Sequence, residues 1–214
     1  MRNYLYLDIE TIPCQDDVKN AALVANAKPP SNYKKPEVIE KWRDANSKDT
    51  IAKTSFNGGL GHICCIGSSA AGVFNISNVK QEKEMLEKFV SVINAGYAET
   101  IPVIVGHNVN NFDIRFIWQR AICLGVRLPG WFPRDPKPWG EDTFDTMTAW
   151  AGKNGTVSLD NLAGYLGLKG KTGVDGSMVA GMWAEGKRDE IANYCMDDVL
   201  LTKSIHEKMM EAGL

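Results

Sequence analysis

The chain has 214 residues, 44% hydrophobic and 23% charged, which is ordinary for a globular protein and enough to bury one sizeable core. Its formal net charge of −2 argues neither for nor against a nucleic-acid partner, since a protein that coats a duplex is usually strongly basic whereas one that holds a chain end through bound cations need not be. No apolar run reaches the ~18–20 residues that span a bilayer, and Asp8 comes too early for a secretory h-region, so the expected location is cytoplasmic with no membrane partner.

Tyr4-Leu-Tyr-Leu-Asp-Ile9 reads as a strand, with aromatic and branched residues ahead of turn material at Pro13. Residues 14–60 differ in composition and are expected to form an insertion or long loop on one domain spanning 1–214, with a short helix at Glu37–Ala45. This is the most basic stretch, with Lys28, Lys34, Lys35, Lys41, Arg43, Lys48 and Lys53, and reads either as solvated surface or as a clamp on an incoming strand. His62–Ser69 and Val73–Ile76 read as a hairpin; within it, Cys64 and Cys65 lie in an apolar run and read as buried hydrophobes, since the five cysteines form no Cys-x-x-Cys pair. Glu82–Ala95 has helical apolar periodicity, Pro102–Gly106 reads as a short buried strand, and Phe112–Leu124 as a helix. A loop rich in Pro, Gly and Trp fills 128–142. Helices are then expected at Ser158–Leu166 and Ser177–Glu185, each with Ser as N-cap, and at about Arg188–Glu211. Strands first and helices later suggest a mixed sheet with helices packed on it.

Three stretches carry chemistry. In Leu7-Asp8-Ile9-Glu10-Thr11, residues two apart in a strand face the same way, so Asp8 and Glu10 pair near its end. Two such charges repel by ~4 kcal/mol at an effective dielectric of ~20, so they need a cation, a shared proton or full solvation. In Gly106-His107-Asn108-Val-Asn-Asn-Phe112-Asp113, a buried strand ends in a polar loop and Asp113 opens a helix. Asp113 is either a helix cap or a ligand at the C-terminal edge of the sheet, where α/β proteins gather their sites. In Tyr194-Cys-Met-Asp-Asp198, Tyr194 and Asp198 are four apart and share a helix face, while Asp197 turns aside. Each stretch alone has an ordinary structural explanation.

Together, in this order and spacing, they resemble the DEDD (DnaQ-like) 3′–5′ exonuclease superfamily. The likeness is nearest to the proofreading exonuclease domain of family B DNA polymerases and its stand-alone relatives. Phe144-Asp145-Thr146 and Ser158–Gly167 also look like segments of that family, and Tyr194 places the chain with the tyrosine (DEDDy) type. The resemblance implies an α/β, ribonuclease H-like fold, a five-stranded mixed sheet with helices on both faces. It further implies two divalent cations held by Asp8, Glu10, Asp113 and Asp198, with Thr11, Asn108 and Phe112 on the substrate side. Oxygen-only donors suit Mg²⁺ or Mn²⁺ better than zinc. The expected reaction is a two-metal hydrolysis of single-stranded DNA from its 3′ end to nucleoside 5′-monophosphates, with the Tyr194 hydroxyl orienting the attacking water. RNA is the alternative substrate, and a silent nucleic-acid-binding module the alternative class. Protein partners are left open.

Other signals are set aside. His107 reads as a loop histidine with local hydrogen bonds, and His62 and His206 as structural or surface groups without evident partners. Gly170-Lys171-Thr172 imitates a P-loop end, but Tyr165 stands where that motif needs Gly. Lys169 and Lys171 read as phosphate contacts or solvated loop. Asp145 reads as part of a structural strand rather than a ligand. Trp131 and Trp139 either stack on bases or collapse onto the core.

Overall fold

A computed structural model gives the fold and describes residues 2–214 except 171, 172 and 174. The central strand β1 (Tyr4–Ile12) runs antiparallel to β2 (His62–Ser68), which pairs in turn with β3 (Gly72–Asn75). On its other side β1 runs parallel to β4 (Val103–Gly106), which pairs with β5 (Thr143–Asp145). The order β3-β2-β1-β4-β5 makes the five-stranded mixed sheet of the ribonuclease H-like fold.

Alternation along β1 divides the molecule into layers. Leu5, Leu7 and Ile9 pack into one large core with Phe89 and Ile93 of α4 (Glu82–Gly96) and Ile114 and Ile117 of α5 (Asp113–Leu124). Tyr6 turns the other way, onto Val199 of the long final helix. That helix is numbered last because α6 (Thr146–Ala151), α7 (Leu159–Tyr165) and α8 (Val179–Ala184) precede it; α9 spans Arg188–Glu211. Its buried stripe, Ile191, Cys195, Val199, Thr202, Ile205 and Met209, recurs at helical spacing, and Asp189 and Glu190 in its first turn complement the helix dipole.

Several expectations are corrected. The segment 14–60 is more helical than expected: the expected short helix is present as α2 (Pro36–Ala45), and α1 (Asp17–Ala25), α3 (Ser47–Ala52) and a 3₁₀ turn at Lys53–Phe56 join it. None of these three helices buries a residue completely, so no apolar stripe marked them in the sequence. Ser158 caps α7 as expected, accepting the Asn161 N–H, but Ser177 is not an N-cap: Asp175 accepts the Ser177 N–H and starts a 3₁₀ turn that leads into α8. The two histidines thought to lack partners both have them. His206 is buried, with Nδ1 3.0 Å from the Tyr6 hydroxyl and its ring 4.6 Å from those of Tyr4 and Phe144. His62 Nδ1 lies 2.8 Å from Oε2 of Glu82, a fully buried carboxylate that Arg120 grips with two hydrogen bonds of 2.7 Å. Burial pushes the Glu82 carboxyl up, but hydrogen bonds from His62, Arg120 and the Ile63 N–H, with the Arg120 charge, leave it below its ordinary value. Cys64 and Cys65 are buried and free, as expected. No helix among the described residues is long and apolar enough to cross a membrane.

Candidate active site

The site forms where the end of β1 meets the middle of α9. Asp8 and Glu10 share the face of β1 on which α9 lies, while Ile9 between them enters the opposite core. A glycine opposite Asp8 lets the helix come close: a Cβ on Gly67 would stand 2.9 Å from Cys195 Sγ and 3.2 Å from Cys195 O. Beside Glu10 the ladder slips, because Glu10 faces Cys65 but Thr11 faces Ile63, leaving Cys64 as an extra residue in β2. Such bulges bend a strand and re-aim its side chains. Here the Cys64 thiol donates to the Glu10 carbonyl, 3.3 Å away.

From α9, the Cys195 thiol reaches Oδ2 of Asp8 at 3.4 Å, and one turn later Asp198 enters the same space. Carboxylate oxygens of Asp8, Glu10 and Asp198 all lie within 4.8 Å of one another. Glu10 and Asp198 are 8% and 5% exposed. At an effective dielectric of ~20, each pair of charges at that spacing repels by roughly 3–4 kcal/mol, or about 10 kcal/mol for the three pairs. That rivals the whole stability of a domain, about 5–15 kcal/mol, so protons or cations must neutralise the group. Burial above all, then Glu10, Asp113 and Asp198, accordingly holds the Asp8 carboxyl well above the usual range, against a small lowering by the Cys195 thiol. The donors are oxygens alone, which fits a hard divalent cation.

Asp113 is near but differently engaged. It is 3% exposed, opens α5, and accepts the Ile9 N–H at 3.0 Å, so it holds the backbone between Asp8 and Glu10. It is outside the group of three, although its charge acts on Asp8. Burial raises its own carboxyl to about 7; its own N–H and that of Ile9 oppose the shift, while Asp145 and Asp198 add to it. Tyr194 sits one turn before Asp198, buried and hydrogen-bonded to it. Burial first, then the charges of Asp198, Glu10 and Asp8, push the phenol far above its ordinary 10.0, so the hydroxyl keeps its proton.

Asp145, left out of the sequence-derived site, positions the loop that leads to Asp113. Buried at the end of β5, its Oδ1 and Oδ2 accept the N–H groups of Asn108 (3.0 Å) and Asn110 (3.1 Å), and Oδ1 also caps α6 through Met147 and Thr148. Asn108 has φ of 61°, a left-handed backbone that Asn tolerates better than most residues. An Asp directly ahead of a helical turn was the available signal. His107 is structural, with Nδ1 2.9 Å from Thr146 Oγ1 and Nε2 2.9 Å from the Val157 carbonyl.

Two clefts flank the carboxylates. One, of about 530 Å³, contains Glu10, Thr11 and Phe112; the other, of about 540 Å³, runs along α9 past Tyr194, Asp198 and Lys169. Asn108 lines neither, and its Oδ1 instead accepts from Asn111 Nδ2 at 3.3 Å. Lys171, the other expected phosphate contact, lies outside the described residues. Trp131 packs its ring against Tyr97 and Phe132, whereas Trp139 is exposed.

A family model described as a predicted 3′–5′ exonuclease related to the exonuclease domain of PolB matches residues 60–212. The match takes in Asp113, Asp145, Tyr194 and Asp198 and begins after Asp8 and Glu10, the two residues that β1 adds to the site. No curated protein matches the chain.

Proposed function

Because the chain belongs to the family of predicted 3′–5′ exonucleases related to the exonuclease domain of PolB, we propose that it is a single-domain enzyme that trims single-stranded DNA from the 3′ end to nucleoside 5′-monophosphates. It uses two divalent cations, Mg²⁺ or Mn²⁺, and acts in the cytoplasm. The observation that carries this reading is the convergence of Asp8 and Glu10 with Asp198, from the other end of the chain, inside 4.8 Å. A divalent cation relieves the repulsion among these carboxylates without requiring them to be protonated.

In this reading Asp8, Glu10 and Asp198 hold the cations, and Asp113 completes the set once positive charge draws off its proton. Cations at such a site supply an activated water and stabilise the departing 3′ oxygen. The protein's own groups do the rest. Asp113 holds the strand through the Ile9 N–H, which sets the spacing of Asp8 and Glu10. Tyr194, protonated and hydrogen-bonded to Asp198, orients the attacking water rather than accepting its proton. Thr11 and Phe112 face the strand end, Asn108 shapes the loop before Asp113, and Lys169 offers a cation to the phosphate backbone. The relation to PolB favours DNA over RNA.

A time course on matched 3′-labelled and 5′-labelled DNA and RNA oligonucleotides, in EDTA, Mg²⁺, Mn²⁺ or Zn²⁺, tests all of this. Stepwise release of mononucleotides from 3′ ends of single-stranded DNA in Mg²⁺ or Mn²⁺, and none in EDTA, is expected. Internal cleavage, 5′ polarity or activity in EDTA would refute the reading, and rescue by Zn²⁺ alone would refute the metal assignment.

A further inference from the structure

Two aromatic side chains that line neither cleft stack on each other at the surface. Trp150, near the end of α6, and Tyr165, the last residue of α7, have ring centroids 6.1 Å apart and planes inclined by 23°. They are 47% and 65% exposed, so each ring keeps much of its surface open to water. Scattered apolar residues are ordinary on a surface, but Trp is on average a well-buried residue. Two large rings that cover one another rather than the core make a flat apolar ledge, and no step of the hydrolysis uses it.

The ledge is tied to the loop that leads to Asp113. His107 Nε2–H donates to the Val157 carbonyl and Nδ1 meets Thr146 Oγ1, both at 2.9 Å, so one ring joins the entry of α7 to the start of α6. Asp145 caps α6 while holding the Asn108 and Asn110 N–H groups, and Ser158 caps α7. Between the helices, a Cβ on Gly155 would collide with the Ala151 carbonyl oxygen, a close approach that only glycine permits. Leu159 and Leu162 of α7 then pack on Ile205 and Met209 of α9. The ledge also runs into the cleft along α9. From Tyr165 the chain passes Leu166 and Leu168, which pack with Leu201, and reaches Lys169; Leu201 and Lys169 both line that cleft. Four residues of chain span at most ~14 Å.

We propose that the Trp150–Tyr165 pair is a second contact for the nucleic-acid strand, stacking a base several nucleotides upstream of the one being released. The inference rests on the exonuclease reading, in which Lys169 meets the phosphate backbone in the cleft along α9, and adds where the rest of the strand goes. A strand leaving that cleft past Lys169 comes to the rings within ~14 Å, about four nucleotides at a stacked rise of ~3.4 Å. Lys153, exposed in the loop between α6 and α7, adds a cation to the unit that carries the rings. Open rings accompanied by cations suit single strands of any sequence, because every base has a π-face. A contact outside the clefts keeps hold of the strand when the terminal nucleotide departs, so several nucleotides are removed before the strand is released.

The test compares binding of single-stranded DNA of about 4 and about 16 nucleotides, with Ca²⁺ as the cation, by wild type, Trp150→Ala/Tyr165→Ala and Trp150→Phe/Tyr165→Phe. Wild type is expected to bind the longer strand more tightly. The alanine variant should bind that strand between about fivefold and about 150-fold more weakly, the worth of one base stacked on an aromatic ring. The phenylalanine variant keeps both rings and should bind as wild type does, and all three should bind the short strand alike. A single abasic position moved along the longer strand should reveal one upstream position where loss of the base weakens wild type but not the alanine variant. Should the alanine variant melt early, Tyr165→Ala alone, at the more exposed ring, takes its place in each comparison. Equal affinity of wild type and the alanine variant for the longer strand, equal loss on the short one, no such position, or no binding by wild type would overturn the proposal. So would a wild type that self-associates and an alanine variant that is monomeric with DNA binding unchanged, which would assign the rings to a second copy of the chain. If Mg²⁺ supports 3′ trimming while the alanine variant binds as wild type, only the ledge is lost. If binding depends on the rings but no mononucleotide is ever released, the ledge stands and the exonuclease reading falls.

Discussion

Replacing Asp113 with Asn removes one negative charge beside the carboxylate group while keeping an oxygen to accept the Ile9 N–H. In the metal-free protein the Asp113 carboxyl is raised from 3.8 to about 7, chiefly by burial. Between those values the folded protein holds a proton that the unfolded chain has released. Stability linked to this group is therefore complete below the unfolded value and is lost as pH rises through about 7. At ~1.36 kcal/mol per unit, the whole shift is worth ~4 kcal/mol, of which ~2 kcal/mol disappears between about pH 5.5 and about pH 7. Asp8, also held up by burial and its acidic neighbours, adds a loss of the same sign. Urea unfolding in EDTA at about pH 5.5 and about pH 8 measures this directly. The wild type should lose on the order of 2 kcal/mol more than Asp113→Asn over that interval, and the variant should be the more stable protein at the higher pH. Adding Mn²⁺ at about pH 8 should reverse the ranking, and hydrolysis by the variant should be absent. Parallel pH profiles, or a variant less stable than wild type at about pH 8 in EDTA, would refute the electrostatic reasoning.

Tyr194→Phe deletes the hydroxyl bonded to Asp198, and a hydrogen bond to a charged group is worth ~1.5–3 kcal/mol. Single-turnover rates should fall roughly 10- to 100-fold, less than for Asp198→Ala, and an unchanged rate would remove Tyr194 from the mechanism. Arg120→Met strips the fully buried Glu82 of its main partner, and breaking such a pair costs ~3–5 kcal/mol. Urea titration should show that loss while the rate per folded molecule is unchanged; equal stability would mean that His62 and the Ile63 N–H suffice for Glu82.

The sequence disclosed what depends on local periodicity. The alternation of β1 placed Asp8 and Glu10 on one face, and the spacing of Tyr194 and Asp198 placed them on one turn of α9, whose bounds follow from its apolar stripe. Where burial is slight, the reading thinned out: α1, α2 and α3 lie on the surface, so no stripe announced them. Asp145 was read as part of a structural strand, as β5 (Thr143–Asp145) bears out, but its hold on the Asn108 and Asn110 N–H groups comes only through tertiary packing. The partners of His62 and His206 were equally hidden, since Glu82, Arg120 and Tyr6 come to them only through tertiary packing. For Asp113 the sequence offered helix cap or ligand as alternatives. The structure shows a third engagement, with the backbone of a strand distant in sequence.

The junction of β1 and α9 also bears on when the protein can act during its own synthesis. Asp8 precedes the Cys195 that touches it by 187 residues, and Asp198 follows Cys195. Chains fold as they emerge, N-terminal parts first. A nascent chain thus has Asp8 and Glu10 in hand well before α9 emerges and docks to bring Asp198 to them.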